Sequence, residues 1–285
     1  MKKIQFLALC AVTAGLVTSC QKDELVEANQ TQTSSKNLSK AHVQLLNDAA
    51  VNPLNAEYIT VSHLGDESYE AIKSGDIVLP IQNLEENLYS LAQAEDGEKQ
   101  YRTNNLVSQG RSISVIGYTG SCCALTSKMK TGLQWAVANY NRVNTSLSFT
   151  LTFAASTNAD MVIYNAGTTD AGGEAEFPSG GRPGKFVKIF GGMNNYNDNV
   201  NEHVMTHEMG HALGFRHTDY ALRRCDGINE GTAGSIGAVN IPGTPTANRW
   251  GQNGLDTDSI MISCFDGSED GEFSNYDTVA LEYLY

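Results

Sequence analysis

The chain has 285 residues, of which 41% are hydrophobic, and its formal net charge is −13 at pH 7. This length allows one enzymatic domain with an additional segment and is short for two large domains. Binding to nucleic acid requires clustered lysine and arginine side chains that neutralise phosphates, so the acidic balance argues against nucleic acid as a partner.

The N-terminal residues have the features of an export signal. Two lysines precede an apolar run from Ile4 to Val17, which is too short to cross a bilayer as a helix. The run ends in Leu16–Cys20 (LVTSC), which resembles a bacterial lipobox, the sequence whose cysteine is lipidated after cleavage. We therefore predict a lipoprotein signal peptide over residues 1–19 and lipid attachment at Cys20. The alternative is an ordinary secretory peptide with an incidental cysteine.

Residues 20–40 are rich in Gln, Thr, Ser, Asn and Lys, a composition that favours a flexible stalk. At its start, Gln21–Glu24 (QKDE) resembles the short acidic tag that directs some bacterial lipoproteins to the cell surface. These features predict a protein held at the bacterial outer membrane by its lipid alone and exposed at the cell surface. Attachment on the periplasmic face is the alternative.

The stretch from 41 to 110 is mixed in character and too small to be assigned as a domain. Ala41–Ala50 is predicted as a short helix and Asp76–Pro80 as a short strand. Asn83–Ala94 is predicted as a second helix because its leucines share one face. The polar residues that follow, up to 110, are interpreted as a linker.

The pattern becomes regular from residue 111. Ser112–Tyr118 is a predicted strand, and apolar residues at helical spacing predict a helix over Leu125–Val143. Alternation of apolar and polar residues over Leu147–Phe153 predicts a half-buried strand. The apolar run Met161–Tyr164 is typical of a central strand.

Three further elements are predicted downstream. The glycine-rich residues 167–184 predict a long loop. Lys185–Phe190 is a predicted strand whose lysines suit the edge of a sheet, where an extended substrate peptide would add as a further strand. Ser274 and Asp277 have capping-box spacing and predict a helix near the C-terminus.

A zinc-binding motif lies in a helix predicted over Asn197–Leu213. His207 and His211 are four residues apart, so their imidazoles lie on one helical face and can bind the same zinc ion. Glu208, beside the first histidine, is placed to reach water on the metal. A motif this short also arises by chance on solvated helices, so it does not decide the function alone.

The residues after this helix extend the motif. Gly214 is predicted to end the helix in a left-handed conformation, and the turn carries His217 back toward the metal as a third ligand. Three protein ligands leave a fourth position for water, which is typical of catalytic zinc. The longer pattern is expected by chance on the order of once in 10⁵ chains of this length, so we predict one catalytic Zn²⁺.

The run His207–His217 (HEMGHALGFRH) resembles the metzincin zinc signature at every defining position. Metzincins also carry a methionine in a tight turn beneath the zinc ligands, and Ser259–Met261 fits that Met-turn. The flanking HTDY and IPGTP resemble the bacterial dual-action HEIGH metallopeptidases. The resemblance implies an α+β fold for residues 111–285, with a metzincin-like twisted mixed β-sheet, an active-site helix and a small C-terminal subdomain.

The same resemblance implies a zinc-dependent endopeptidase that hydrolyses peptide bonds of proteins. Glu208 would act as general base toward metal-activated water, and Met261 would support the floor of the site. Ser263 stands where astacins and serralysins have a tyrosine ligand, so a tyrosine-assisted mechanism is not expected. We expect a monomer. Calcium binding by the acidic loop 266–272 has no support beyond its charge.

Four cysteines lie beyond the signal peptide and Cys20, an even number for an oxidising compartment. Cys225 and Cys264 bracket the loop between the zinc motif and the Met-turn, so we predict a disulfide between them. Cys122 and Cys123 are adjacent, and their pairing stays open.

The segment 41–110 is a candidate pro-segment. A cysteine switch is excluded because no cysteine lies between residues 21 and 121. Astacin pro-segments block zinc with an aspartate that follows a glycine, and Gly65-Asp66 and Gly75-Asp76 are faintly similar to that arrangement. Such pairs are common in turns, and a turn is the preferred interpretation of both.

Two other functions are kept as alternatives. A surface binding lipoprotein would explain the anchor and the acidic charge, but not a glutamate between two histidines at ligand spacing. A zinc hydrolase of non-peptide substrates would explain the metal motif, which is nevertheless one that peptidases share. The sequence does not define the cleavage specificity.

Overall fold

The structure is a computed structural model that describes residues 38–49, 51–86, 101–103, 105–231 and 239–285. The predicted signal peptide, the lipid-attachment residue Cys20 and nearly all of the predicted stalk lie outside these residues. Residues 87–94 of the helix predicted at Asn83–Ala94 and much of the predicted linker also lie outside them.

The N-terminal segment forms two short helices and three strands, which are α1 (Lys40–Asp48), β1 (Glu57–Val61), β2 (Tyr69–Ser74), β3 (Ile77–Pro80) and α2 (Ile81–Glu85). The first predicted helix and the predicted strand are confirmed as α1 and β3. Ser39 begins α1 by accepting a hydrogen bond from the backbone N–H of His42 at 3.0 Å. Buried apolar side chains from α1, β2, β3 and α2 pack together with Phe177, which comes from the later part of the chain.

The middle of the chain alternates strands with a long helix, in the order β4 (Tyr101–Arg102), β5 (Ser112–Tyr118), α3 (Ser127–Arg142), β6 (Ser148–Ala154) and β7 (Met161–Asn165). The three strands and the helix predicted from residue 112 to residue 164 are therefore confirmed. The remaining elements are β8 (Gly173–Glu176), β9 (Phe186–Ile189), a 3-10 turn (Gly191–Asn195), α4 (Asp198–Leu213), β10 (Val239–Asn240) and α5 (Asn275–Leu284). The capping box predicted at Ser274 and Asp277 begins α5.

Eight strands form one mixed sheet in the order β1-β2-β3-β8-β9-β7-β5-β6. The pairs β3–β8, β9–β7, β7–β5 and β5–β6 are parallel, whereas β1–β2, β2–β3 and β8–β9 are antiparallel. The predicted α+β class with a mixed sheet is confirmed. The N-terminal segment is part of that sheet, because β3 is hydrogen-bonded directly to β8.

Two predictions about residues 167–190 are wrong. The predicted loop contains a strand, β8, and the strand predicted at an edge is β9, which lies inside the sheet between β7 and β8. One of the two lysines that suggested an edge, Lys188 on β9, is instead neutralised by an ion pair with Glu174 on β8. Strand β8 lacks the usual alternation of apolar and polar residues because its buried positions include glutamates.

Helices α3 and α4 pack closely against each other. A Cβ atom at Gly132 on α3 would lie 2.7 Å from the backbone carbon of Asn201 on α4, so only glycine allows this approach. Both helices contribute to the largest apolar core, together with side chains of β5, β6, β7 and β9. Helix α4 is therefore fixed between α3 and the rest of the fold, with nearly all of its residues buried.

No helix among the described residues is both long enough and apolar enough to span a bilayer.

Candidate active site

Helix α4 carries His207, Glu208 and His211, and all three side chains are buried. Asn197 caps its first turn, since the Asn197 side chain accepts a hydrogen bond from the N–H of Val200 at 2.9 Å. The two histidines are one turn apart on the same face, and His211 is fully buried.

The turn after α4 brings His217 to the same point. Gly214 ends the helix with φ 114°, a left-handed conformation, and its N–H donates to the carbonyl oxygens of Gly210 and His211. The returning chain is fixed by two further backbone bonds, from Arg216 N to Tyr101 O and from Thr218 N to Met261 O, both 2.8 Å long.

The three histidines meet through their Nε2 atoms, which are 3.0, 3.1 and 3.2 Å apart. The Nδ1 atoms of His207 and His211 lie 2.7 and 2.8 Å from backbone carbonyl oxygens, so each Nδ1 must carry the proton and donate it. Their Nε2 atoms are then hydrogen-bond acceptors and cannot bond to each other. A shared cation accounts for such close acceptors, and metal–nitrogen bonds of about 2.0–2.1 Å fit this spacing.

Asp76, on the turn between β2 and β3, lies next to this triad. Its Oδ2 is 3.1 Å from Nε2 of His217, and its Oδ1 is 3.7 Å from Nε2 of His211. One ligand atom from Asp76 and one from each histidine all lie within 4.8 Å of one another. Both Gly-Asp pairs occupy turns, as predicted, but only Asp76 is brought to the histidines.

Glu230 orients His217 through the ring nitrogen that faces away from the other histidines, and the sequence did not predict this residue. Its Oε1 accepts a hydrogen bond from Nδ1 of His217 at 2.7 Å and is also 2.7 Å from Nη1 of Arg223. Burial would raise the pKa of Glu230, but His217 and Arg223 outweigh burial and lower it to about 2. An ionised carboxylate on Nδ1 keeps Nε2 available for a metal. No spacing in the sequence identifies this loop residue.

Met261 lies beneath the active-site helix, where the sequence predicted a Met-turn. A Cβ atom at Gly210 would lie 2.5 Å from its sulfur, so the glycine in the zinc motif makes room for the methionine. The carbonyl oxygen of Ile260, one residue earlier, accepts the hydrogen bond from Nδ1 of His207 at 2.7 Å. Asp277 at the start of α5 fixes this turn by accepting bonds from Ser259 Oγ at 2.7 Å and Ile260 N at 2.8 Å.

Glu208 faces the same cavity as the histidines. A Cβ atom at Gly173 on β8 would lie 2.8 Å from its Oε1, so this carboxylate sits directly beside the first residue of that strand. Its Oε2 is buried and has no hydrogen-bond partner within the described part of the chain. Burial, followed by the charge of Asp76, raises the pKa of Glu208 well above its usual range. The side chain is therefore suited to hold a proton.

The cavity at this site has a volume of about 380 Å³. Its lining includes Asp76, His207, Glu208 and Glu230 together with apolar side chains such as Ile262 and Phe265. A cleft with convergent polar groups and an apolar wall is suited to bind a chain with side groups, such as a peptide.

The predicted disulfide is present and joins the two loops that border the cavity. Cys225 and Cys264 are bonded, with their Cα atoms 5.8 Å apart. The bond links the loop that carries Arg223 and Glu230 to the residues that follow the Met-turn. Cys122 and Cys123, whose pairing the sequence left open, are both free.

Comparisons with known proteins give one family. A family model described as dual-action HEIGH metallo-peptidase matches residues 72–285. A solved structure of myroilysin has 16% identity, covers 60% of this chain and 78% of that chain, and has a TM-score of 0.36. Another structure of myroilysin has 16% identity, covers 62% of this chain and 85% of that chain, and has a TM-score of 0.38. Comparison with curated protein sequences gives no match.

Proposed function

Because the chain belongs to the dual-action HEIGH metallopeptidase family, we propose that it is a zinc-dependent endopeptidase that hydrolyses peptide bonds of proteins. The observation that carries the proposal is the convergence of three Nε2 atoms within 3.2 Å of one another. The buried carboxylate of Glu208 lines the same cavity.

Zinc is the metal that suits these donors. Imidazole nitrogen combined with one carboxylate oxygen is a ligand set that Zn²⁺ accepts in four-coordinate sites, whereas calcium and magnesium prefer oxygen alone. His207, His211 and His217 would hold the ion through Nε2, since each Nδ1 has an acceptor of its own. We propose one zinc ion at this site.

Glu208 carries the proton transfers in this proposal. A bound zinc ion would lower the pKa of a water molecule and polarise the scissile carbonyl. Glu208 accepts the proton of the attacking water at its carboxylate and then delivers it to the leaving amine. Burial raises the pKa of this group, which favours its protonated form and so suits the acid step. Met261 does not touch the substrate in this scheme; it supports the helix beneath the ligands.

The Glu208→Gln variant tests the general base. Loss of the base should lower the rate of casein cleavage roughly 10²- to 10⁴-fold while zinc content stays at one ion per chain. Cleavage and zinc content are measured on the full chain, before and after limited proteolysis, so that a latent form is not mistaken for an inactive one. Retained cleavage by Glu208→Gln would overturn the assignment.

Two controls separate the alternatives. Glu282→Gln changes an exposed glutamate on α5 and should leave cleavage unchanged. Treatment with a chelator should abolish cleavage, and added zinc should restore it. A binding lipoprotein would cleave nothing under any condition, and a zinc hydrolase of other substrates would leave casein intact although its metal is bound.

We also propose that Cys20 carries lipid and that the protein is a monomer at the outer membrane, exposed at the cell surface. The support is the lipobox-like Leu16–Cys20 and the acidic residues after it. Replacement of Cys20 by alanine should move the protein from the membrane fraction to the soluble fraction. Protease treatment of intact cells should then distinguish surface exposure from the periplasmic face.

A further inference from the structure

We propose that Asp76 is a fourth protein ligand of the metal and that the β2–β3 hairpin holds the peptidase in a latent form by filling its substrate cleft. The inference rests on the proposed zinc peptidase function and concerns the regulation of the same site. Two observations on this hairpin support it. The turn of the hairpin lies at the three histidines, and its strand β3 covers the sheet edge beside Glu208.

The hairpin turn projects Asp76 into the open side of the triad. Ser74 on β2 pairs with Ile77 on β3, so Gly75 and Asp76 alone form the turn. Gly75 has φ 65°, and a Cβ atom there would lie 2.8 Å from Nη1 of Arg223, so the tip is packed tightly against the wall of the site. Oδ2 of Asp76 is then 3.1 Å from Nε2 of His217, within the range of the Nε2 distances among the histidines.

The second carboxylate oxygen of Asp76, Oδ1, supports the same assignment. Oδ1 is buried and accepts no hydrogen bond from any described residue. A buried carboxylate oxygen without a hydrogen-bond donor is costly, whereas coordination to a cation would compensate for its lost hydration. This observation is independent of the distances to the histidines, and it indicates the same ligand.

The hairpin also occupies a strand edge beside the proposed base. β3 is parallel to β8, with Ile77 opposite Ala175, and Ala175 N donates to Asp76 O at 3.0 Å. Gly173, at the start of β8, contacts Glu208. A substrate peptide that added a strand to β8 would need the hydrogen-bonding groups that β3 already uses. The sheet edge predicted for β9 is thus found at β8, and it is covered.

Side-chain contacts hold the hairpin and the preceding loop across the cleft. Lys73 on β2 forms an ion pair with Glu174 on β8. Asn52, before β1, donates from Nδ2 to the carbonyl oxygen of Asn229 at 2.8 Å and so joins the N-terminal segment to the loop that carries Glu230. The Asp76 ligand and these contacts hold the hairpin jointly, so loss of the ligand raises the fraction of molecules whose hairpin has left β8 and the opposite loop.

Cobalt substitution of the full chain tests the ligand directly. The visible spectrum of Co²⁺ reports its ligand set, so Asp76→Ala should shift the absorption bands relative to wild type. The matched control is Asp66→Ala, which removes the aspartate of the other Gly-Asp turn, away from the metal, and should leave the spectrum unchanged. Acetohydroxamate, added as a small metal-binding probe, should bind Asp76→Ala at least 10-fold more tightly than it binds wild type.

Cleavage of casein by the same zinc-loaded proteins tests latency. Asp76→Ala should cleave at least 10-fold faster than wild type or Asp66→Ala. Asp76→Asn keeps the shape of the side chain with a weaker ligand, so its cleavage rate should lie between those of wild type and Asp76→Ala. This variant keeps the test valid if Asp76→Ala fails to fold. Identical spectra and probe affinities for Asp76→Ala, Asp76→Asn and wild type would overturn the inference while leaving the proposed function intact.

A second outcome would separate the ligand from the function: an altered cobalt spectrum for Asp76→Ala with no casein cleavage by any variant. It would support Asp76 as a ligand and count against the peptidase itself. A spectral shift with no gain in cleavage over an active wild type would overturn the latent form.

Discussion

The candidate metal centre is held in different ways on its two sides. On one side, residues 198–217 supply three histidines and Glu208 from a single helix and the turn that ends it. On the other side, Asp76, Glu230 and the carbonyl oxygen of Ile260 come from three distant segments. Local backbone geometry therefore sets the position of the proposed ligands, whereas their orientation and their access to substrate depend on long-range packing.

Among the residues of the helix and the turn that ends it, which form the local side of the site, substitution of Gly214 should cause the largest loss of stability. Gly214→Ala would force a left-handed residue and place its Cβ 2.7 Å from the carbonyl oxygen of Asn105. We expect a loss of about 3 kcal/mol in the free energy of unfolding, because backbone strain and a backbone clash add. Zinc binding should weaken as well, since His217 follows this turn. Urea denaturation and zinc titration measure both effects.

Gly254→Ala is the matched control for that substitution. Gly254 has φ 86°, but a Cβ atom there meets nothing within 4 Å. It should cost only the strain of the left-handed backbone, about 1–2 kcal/mol, and leave zinc affinity unchanged. An equal cost for the two variants would show that the contact with Asn105 has no part in holding the turn.

Glu230→Gln tests the contribution of the distant segments, because it leaves the helix and the turn after it unchanged. The amide can still accept from Nδ1 of His217 but carries no charge, so the imidazole becomes a weaker metal ligand. We expect zinc affinity to fall roughly 10- to 100-fold, about 1.4–2.7 kcal/mol, measured by competition with a chelator. Asp226→Asn, which also removes a partner of Arg223 but does not touch His217, should leave affinity unchanged.

The smallest effect is expected at Glu202, which lies on α4 but is not part of the metal centre. Its carboxylate accepts a hydrogen bond from Asn139 at 2.7 Å, and burial, with Glu272 nearby, raises its pKa from 4.5 to about 7. The folded state then binds more protons than the unfolded state between these two values, so stability is lost as pH rises through this window. Glu202→Gln should reduce that loss by an amount on the order of 1 kcal/mol.

Urea denaturation at pH 5 and pH 7 measures the Glu202 effect. Glu57→Gln, an exposed change on β1, should retain the wild-type difference between the two pH values. Zinc affinity should be the same in all three proteins. The same pH dependence in wild type and Glu202→Gln would show that another group is responsible for it.

Much of the local side could be predicted from the sequence. The helix containing His207 and His211, its end at Gly214 and the return of His217 follow from helical spacing and from the conformation that glycine allows. Strands β5, β6 and β7 were predictable for the same reason, because their apolar patterns reflect the local period of a strand.

The distant side could not be predicted, because each of its residues depends on pairing between separate segments. Glu230 lies in a loop without a period, and only the folded structure places it behind His217. Asp76 belongs to one of two similar turns, and only the pairing of β3 with β8 distinguishes it from Asp66. Strand β8 escaped prediction because Glu174 and Glu176 are buried by partners from other strands.

The carboxylate of Asp277 has a consequence for how the proposed ligands are oriented. It caps α5 and also fixes the turn whose carbonyl oxygen orients His207. Without α5, all three histidines would remain in the chain, but the turn that orients the first of them would lose its anchor. Full orientation of the ligands therefore depends on α5 as well as on the helix that carries His207 and His211.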